Sequence, residues 1–355
     1  MKTYALLIAA LSCTACGDDT TAGDGSTGTQ ATSTADAGPT SDGTPASSTS
    51  DTVGETSVAS STSINETTSA DSTGATDASD TGTDTPGSNC VESPEPGCPP
   101  APGVISAELA DGLIQDGAAT ALDVRGIGSF ATGHLPGATV LDASELRANV
   151  GGVSGQVAPA DAAQLVFEAA GISATDALIV YGDDNSTNPA RVVWTLEYYG
   201  HTGPVWMLDG GLGQWSAEGR DVETKGEAAG GSAYAPMVTD GLRVDAQWVL
   251  DRLDDPTVTL VDARGNGEFT SGHIPGAISV DWVRNLGRDG LFLPSDELRA
   301  LYGDPADDQT LVAYCQTGSR ASVDWLVLTM LGYADVRIYD GSWSEWSADP
   351  TNPVE

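Results

Sequence analysis

Residues 122–142 read LDVRGIGSFATGHLPGATVLD, and residues 261–281 read VDARGNGEFTSGHIPGAISVD. At a constant offset of 139 residues, 11 of these 21 positions are identical. A spacing of this size indicates a duplicated domain, because the units of solenoid proteins repeat every 20–50 residues or so. The folded part of the chain therefore contains one module twice.

The repeated register continues beyond these motifs. ALIVY (177–181) corresponds to TLVAY (310–314), and MLDGGLGQW (207–215) corresponds to IYDGSWSEW (338–346). We place the first domain at 104–222 and the second at 243–349, with a Gly- and Ala-rich linker at 223–242 between them.

Short apolar runs alternate with helical patterns in both units. Continuous apolar strands separated by helices predict an α/β fold in which a parallel sheet is covered by helices on both faces. The predicted strands are 120–124, 177–181, 205–209, 259–263, 310–314 and 336–340. The predicted helices include 158–171, 189–200, 246–253, 295–303 and 319–332.

The N-terminus has the features of an export signal. Residues 1–16 read MKTYALLIAALSCTAC, with a basic second residue and an apolar run over 5–11 that is too short to span a bilayer. The run ends in cysteines and resembles the lipobox of bacterial lipoproteins. We predict lipid attachment at Cys16 rather than Cys13, because the polar region starts directly after Cys16. This places the protein in the cell envelope of a bacterium, and an ordinary cleaved signal is the alternative.

Residues 17–100 are dominated by Ser, Thr, Gly and Asp, with 14 acidic side chains and no Lys or Arg. Such a segment cannot bury enough apolar surface to offset the entropy of ordering it, so we predict a disordered tether. Cys90 and Cys98 lie at its end. In an oxidising compartment they are expected to form a small disulfide, and two free thiols are the alternative.

The whole chain carries a formal charge of −37, and residues 101–355 alone contain 37 acidic and 13 basic side chains. This charge argues against a nucleic-acid partner, because phosphate backbones require neutralisation by Lys and Arg. Solubility or a high-salt habitat accounts for it more simply than a basic partner.

A cysteine follows the strand at 310–314, where active sites of parallel sheets are found. The loop reads Cys315-Gln316-Thr317-Gly318-Ser319-Arg320 and leads into a helix that starts near Ala321. Loop N–H groups, the helix dipole and the cation of Arg320 each favour a thiolate or a bound anion. An inert buried cysteine is the alternative.

Several motifs follow one another along the chain: D-x-R, F, GH[LI]PGA, a strand, C-x-x-G-x-R-A-S and YDGSWSEW. Their order and spacing resemble the tandem form of the rhodanese (thiosulfate sulfurtransferase) family, over roughly 104–349. The resemblance implies a persulfide on Cys315, held by a substrate-binding loop of Gln316, Thr317, Gly318, Ser319 and Arg320. It implies no metal and no organic cofactor. Related phosphatases have a C-x5-R loop, whereas this chain has C-x4-R, which suits a sulfur atom better than a phosphate.

The first unit has Gly182 where the second has Cys315, and its loop GDDNSTNP (182–189) contains no thiol. The resemblance implies that this half is catalytically silent. It also implies that Arg191 reaches the cleft between the domains and binds the anionic substrate, with a local ion pair as the alternative. A further arginine some six residues on is usual in vertebrate-type members of the family, and here that neighbourhood reads Leu196-Glu197-Tyr198.

Several other residues are better explained by structure than by catalysis. His134 and His273 occur in both GH[LI]PGA motifs, one of which belongs to the silent half, so we expect them to shape a turn. Asp262 and Arg264 are interpreted as hydrogen-bonding struts. Trp343 and Trp346 are expected in the cleft wall or in the core.

The predicted function is transfer of sulfur from thiosulfate to cyanide or a thiol through a Cys315 persulfide. The partners implied are a small sulfur-containing anion, a thiophilic acceptor and the membrane. Mercaptopyruvate enzymes carry C-G-x-G-V-T loops, so CQTGSR favours thiosulfate, and 3-mercaptopyruvate is the alternative donor. The alternative from another class is a surface-anchored module that binds sulfur or a protein without turnover.

Overall fold

The computed structural model describes residues 101–226, 230–306 and 308–355. The predicted signal and tether, with Cys16, Cys90 and Cys98, lie outside these residues. None of the described helices is long and apolar enough to cross a membrane.

The elements follow the predicted alternation of strands and helices. The strands are β1 (Gly103–Ile105), β2 (Thr120–Asp123), β3 (Thr139–Val140), β4 (Arg147–Val150), β5 (Val153–Val157), β6 (Leu178–Tyr181), β7 (Val205–Leu208), β8 (Arg243–Val244), β9 (Val258–Asp262), β10 (Ile278–Ser279), β11 (Thr310–Tyr314) and β12 (Asp335–Tyr339). The α-helices are α1 (Ala107–Gln115), α2 (Ile127–Phe130), α3 (Ala160–Ala169), α4 (Asn188–Tyr198), α5 (Gly211–Ala217), α6 (Ala246–Leu250), α7 (Asn266–Thr270), α8 (Ser295–Leu301), α9 (Ala321–Met330) and α10 (Ser342–Trp346). Two 3-10 helices are η1 (Ala143–Leu146) and η2 (Trp282–Asn285).

Two five-stranded sheets share one topology. The first has the order β1-β7-β6-β2-β3 and the second the order β8-β12-β11-β9-β10, and every neighbouring pair in both is parallel. The α/β fold predicted from the alternation is therefore confirmed, and the duplication extends to strand order. An antiparallel hairpin of β4 and β5 was not predicted, because its residues show little apolar alternation.

The central strands are apolar because both faces of each sheet are covered. All four residues of β6 are buried, as are four of the five in β11. The helices α4 and α9 pack against each other between the sheets, so the inner layers of both domains merge into one core that contains Trp194 and Trp325. Separate apolar clusters cover the outer face of each sheet.

The two GH[LI]PGA motifs form equivalent turns. The ring of His134 stacks on Phe130 and that of His273 on Phe269, each with centroids 3.7 Å apart. Backbone N–H groups and carbonyls pair His134 with Glu223 and His273 with Glu355. These contacts assign both histidines to turn structure, as expected because the motif occurs in both copies and one of them is the silent half.

The linker at 223–242 is packed against the first domain where the structure describes it. Tyr234 is buried in the core, and the N–H of Met237 donates to the carbonyl of Tyr199 at 3.0 Å. Thr239 donates its hydroxyl to the carbonyl of Glu197. The linker therefore contributes to the surface of the first domain.

A buried carboxyl group lies in α9. Asp324 accepts hydrogen bonds from Asn285 (2.8 Å) and Tyr302 (3.1 Å), while its second oxygen has no partner among the described residues. Burial raises the pKa of Asp324 to about 8, with Asp281 and Asp262 adding to the effect. The group is therefore protonated in the folded protein at neutral pH.

The pH dependence of stability tests this protonation. A raised carboxyl pKa gives a contribution to stability that is full below about pH 4 and is lost as pH rises towards 8. Asp324→Asn keeps the hydrogen bonds but does not titrate, so we expect it to stabilise the fold by roughly 2–4 kcal/mol at pH 7 and by much less at pH 4.5. Urea unfolding at both pH values measures this, with the exposed Asp254→Asn as control. An equal effect of Asp324→Asn at both pH values would contradict it.

Candidate active site

Cys315 directly follows β11, which lies between β9 and β12 in the second sheet. Cys315 is 1% exposed, and helix α9 begins six positions later at Ala321. The predicted arrangement of strand, cysteine, loop and helix is therefore present. A thiol in this position faces the carboxyl edge of the sheet and the N-terminus of a helix.

The loop directs a backbone donor at the sulfur. The N–H of Gly318 lies 3.1 Å from Cys315 Sγ, and Gly318 has a φ of +86°. A Cβ at this position would lie 2.8 Å from Asp340 Oδ1 and 2.9 Å from Arg191 Nη1. Both the conformation and the space therefore require glycine here.

The YDGSWSEW motif holds the cysteine backbone. Ser342 has a φ of +52°, and its hydroxyl accepts from the N–H of Cys315 (3.2 Å) and donates to the carbonyl of Tyr339. The N–H of Trp343 donates to the carbonyl of Cys315 at 3.0 Å. In the first domain Gly211 occupies the position of Ser342 with a φ of +58°, so the second copy keeps a strained serine where its hydroxyl is used.

Arg320 is held by a carboxylate of its own domain. Its two terminal nitrogens donate to the two oxygens of Glu268 in α7, at 2.6 and 2.9 Å. The hydrogen bonds to Glu268 raise the pKa of Arg320, and the charge of Cys315 raises it further. Arg320 thus lies beside the sulfur as predicted, but its charge is shared with a carboxylate.

Arg191 crosses from the first domain to the second. Its guanidinium is 1% exposed, donates to Asp340 Oδ1 at 2.7 Å and stacks 4.5 Å above the ring of Trp194. Asp340 Oδ2 accepts from the N–H of Val157 at 2.8 Å. The cleft position predicted for Arg191 and the ion pair offered as its alternative are therefore both present.

The remaining loop residues have distinct surroundings. Gln316 donates its side-chain amide to Ser344 at 3.0 Å. Thr317 packs on the β4–β5 hairpin, where a Cβ on Gly155 would lie only 2.9 Å from Thr317 Cβ. The carbonyl of Ser319 accepts from the hydroxyl of Ser322 in the first turn of α9.

Asp262 and Arg264 act as the predicted struts. Arg264 donates to Asp262 (2.7 Å) and to the carbonyl of Gly272 (2.8 Å), and stacks 4.4 Å from the ring of Trp343. The strut therefore ties the end of β9 to the GHIPGA turn and to the motif beside Cys315. Trp346 is fully buried in the outer cluster of the second domain, so it belongs to the core.

The corresponding site of the first domain is closed. Gly182 has no side chain. The carboxylate of Asp184, in the loop that replaces the cysteine loop, accepts from the N–H of Gly213 in α5. Phe292 donates its N–H to Asp209, the counterpart of Asp340, whose burial raises its pKa to about 6. A cavity of about 20 Å³ lies there, with room for one water molecule.

Several residues of the site were not predicted. Asp340 stands in a repeated motif, and its recurrence as Asp209 was a sequence feature that could have identified it as a residue of the site. Glu268 and Arg147 had no repeated counterpart that pointed to them. Arg147 lies at the start of the hairpin that covers the loop, and its pKa is lowered by burial and by Arg191, with an opposing effect of Cys315.

The described residues contain no group of three or more His, Cys, Asp or Glu side chains that could hold a metal ion. Cys315 is their one cysteine, and it is unpaired. The chemistry available from these side chains is that of a thiol among arginines and backbone donors.

A family model described as the rhodanese-like domain matches residues 106–218 and 245–349. The chain belongs to the rhodanese family. Each copy of the duplicated module is thus a rhodanese domain, and the fold and the family predicted from the sequence motifs are confirmed.

Curated relatives extend over both domains. The thiosulfate sulfurtransferase of Corynebacterium glutamicum is 35% identical over 63% of this rhodanese and 80% of its own length. The sulfur carrier protein TtuD of Thermus thermophilus is 32% identical over 68% and 93% of the two chains. A protein of Pseudomonas aeruginosa named "Probable 3-mercaptopyruvate sulfurtransferase" is 34% identical over 62% and 84%.

Solved structures agree in fold. The anaerobic ergothioneine biosynthesis enzyme of Chlorobium limicola has a TM-score of 0.62 at 23% identity, over 71% of this rhodanese and 69% of that chain. At this identity the likeness extends to the fold alone.

A methyl group at Gly318 tests the loop geometry. We expect Gly318→Ala to displace Asp340 or Arg191 and to move the N–H away from Sγ, lowering sulfur transfer by about 100-fold. Gly117→Ala is the matched control, because Gly117 also has a positive φ (+66°) but a Cβ there contacts nothing within 4 Å. Turnover and unfolding are measured for both. Equal turnover in the two variants would show that the contact at Gly318 is unimportant.

Proposed function

We propose that this rhodanese is a sulfurtransferase that carries sulfane sulfur on Cys315. The observation that carries the proposal is the backbone N–H of Gly318 directed at Cys315 Sγ from 3.1 Å, in the one copy of the module that has a cysteine. Sulfurtransferase names among the curated relatives support the same reaction.

The first step uses the thiolate as a nucleophile. Cys315 Sγ attacks the outer sulfur of thiosulfate, a new S–S bond forms, and the S–S bond of thiosulfate breaks with its electron pair leaving on sulfite. Arg191, Arg320 and the N–H of Gly318 are the donors placed to stabilise the anions in this step.

The second step returns the enzyme to its starting state. Cyanide or a thiol attacks the outer sulfur of the Cys315 persulfide, and the electron pair of the broken S–S bond returns to Cys315 as a thiolate. No electrons are taken from outside the two substrates. With 3-mercaptopyruvate, the bond that breaks in the first step is the C–S bond. Its electron pair leaves as the enolate of pyruvate, which is then protonated.

The cysteine variant tests this function. We expect the purified chain to form thiocyanate from thiosulfate and cyanide, and Cys315→Ser to form none. Thiosulfate alone should add about 32 Da, one sulfur atom, to the wild type and nothing to the variant. Because a hydroxyl in place of the thiol preserves the shape of the loop, we expect the variant to fold, and circular dichroism of both proteins checks this.

The outcomes separate the alternatives. Turnover with 3-mercaptopyruvate alone would change the donor and leave Cys315 as the carrier. A folded wild type that neither gains the sulfur mass nor forms thiocyanate with either donor would favour the non-catalytic binding module.

We further propose that the chain is exported and held at a bacterial membrane by a lipid on Cys16. The apolar run over 5–11 and the cysteine that follows it support this, and 17–100 would then stand the rhodanese domains away from the surface. An extracytoplasmic location also supports a disulfide between Cys90 and Cys98.

Detergent partitioning tests the anchor. We expect the wild type, expressed in a Gram-negative host, to enter the detergent phase and Cys16→Ala to remain in the aqueous phase, because it loses its acyl chains. Cys13→Ala is the matched control and should behave as the wild type. Release by Cys13→Ala instead would move the acylation site, and an aqueous wild type would contradict the anchor.

A further inference from the structure

The β4–β5 hairpin of the first domain forms one wall of the cysteine site. Gly155 packs on Thr317 so closely that an added Cβ would lie 2.9 Å from Thr317 Cβ. The hairpin is fastened to the second domain by the hydrogen bond from Val157 to Asp340. Its first residue, Arg147, is opposite Val157 in the β4–β5 pairing.

Two guanidinium groups meet beside this wall with unused donors. Arg191 uses one terminal nitrogen for Asp340 and the carbonyl of Gly155, and its Nε and Nη1 are buried without a hydrogen-bond partner among the described residues. Arg147 donates one terminal nitrogen to the side-chain oxygen of Asn188 at 2.6 Å. Its Nε is likewise buried without a partner in the described part of the chain.

The charges around these donors are unbalanced. Asp340 pairs with Arg191, but the hydrogen-bonded partner of Arg147 is the neutral amide of Asn188. Burial and the neighbouring charge of Arg191 lower the pKa of Arg147, and the charge of Cys315 acts in the opposite direction. Buried donors on adjacent cations favour binding of an anion, because an anion supplies both hydrogen bonds and charge.

The duplication provides an internal comparison. Arg147 directly follows η1, and Leu286 directly follows η2 at the same offset of 139 residues that relates the two motifs. Leu286 lines the small cavity at the silent site together with Ser186 and Pro189. The first-domain position, which faces the Cys315 loop of the second domain, is therefore an arginine. The equivalent second-domain position, which faces the loop without a thiol, is a leucine.

We propose that Arg147 is a substrate-binding residue that, together with Arg191, holds the anionic end of the sulfur donor. The inference rests on the proposed sulfur transfer and extends it to the donor class, which is a small oxyanion with a terminal sulfur. Thiosulfate presents sulfonate oxygens and 3-mercaptopyruvate a carboxylate, and both accept hydrogen bonds from a guanidinium.

Kinetics of Arg147→Gln test the proposal. A charge-assisted hydrogen bond corresponds to about 10- to 100-fold in affinity, so we expect KM for the anionic donor to rise by that factor. The rate at which cyanide discharges the preformed persulfide should change by less than about threefold, because the oxyanion has left by then. Arg147→Lys should restore part of the KM, since it returns the charge without the planar donors.

The matched control is Arg220→Gln, which removes an arginine that pairs with Asp111 and Glu218 on the first domain. The two donors are compared in separate assays, and the one whose KM rises identifies the oxyanion that Arg147 binds. A KM within about twofold of the control for both donors, in a folded Arg147→Gln protein, would overturn the proposal.

A binding measurement separates this inference from the function it rests on. In Cys315→Ser, titration with sulfite should give a dissociation constant that rises by about 10- to 100-fold when Arg147→Gln is added. If the wild type transfers no sulfur, the sulfite titration still decides whether Arg147 binds an oxyanion. An unchanged dissociation constant would reject that role.

Discussion

Asp340 is a buried carboxylate that connects the two domains at the cysteine loop. One oxygen accepts from Arg191 and the other from the N–H of Val157, both of the first domain, and Arg243 lies 3.4 Å away. A buried carboxylate is tolerated only when charges and donors surround it, so these partners cannot move independently. The same carboxylate fills the space in front of Gly318, and the position of the N–H that faces Cys315 Sγ therefore depends on it.

The arrangement is reciprocal. Each domain extends a hairpin after its 3-10 helix to the equivalent aspartate of the other domain: Val157 donates its N–H to Asp340, and Phe292 donates its N–H to Asp209. Together with the packing of α4 on α9, these contacts join two modules into one body. The duplication gives the two domains symmetric contacts, but the side chains around these contacts differ. The cysteine site has Cys315, a serine with positive φ and arginines, whereas the silent site has glycines and Leu286.

The sequence could predict those parts of the structure that depend on local pattern. The six predicted strands and the helices over 158–171, 189–200 and 319–332 are present, because continuous apolar runs and helical periodicity reflect burial directly. The cysteine loop could be located because a strand end and a helix start flank it. Cys315 and Arg191 could be assigned to one cleft only through the resemblance to a family.

The contributions of Arg147 and Glu268 could not be predicted in this way. Arg147 belongs to a hairpin with little apolar alternation, and packing between the domains brings it near enough to Cys315 for the two charges to interact, which no local pattern encodes. Glu268 stands where the first copy has Ser129, so the repeat carried no sign that a carboxylate would bind Arg320. The hydrogen-bond partners of long side chains are determined by tertiary structure and are poorly represented in sequence spacing.

The burial of Cys315 bears on the lifetime of the sulfur it is proposed to carry. Low-pKa thiols and persulfides in solution are readily oxidised to sulfinic and sulfonic acids, most of which are irreversible products. At 1% exposure, under a hairpin from the neighbouring domain, the sulfur is shielded from bulky oxidants and from collision with bulky thiols. The enclosure would then act as a size filter, so that sulfur is exchanged with small nucleophiles and is otherwise stored.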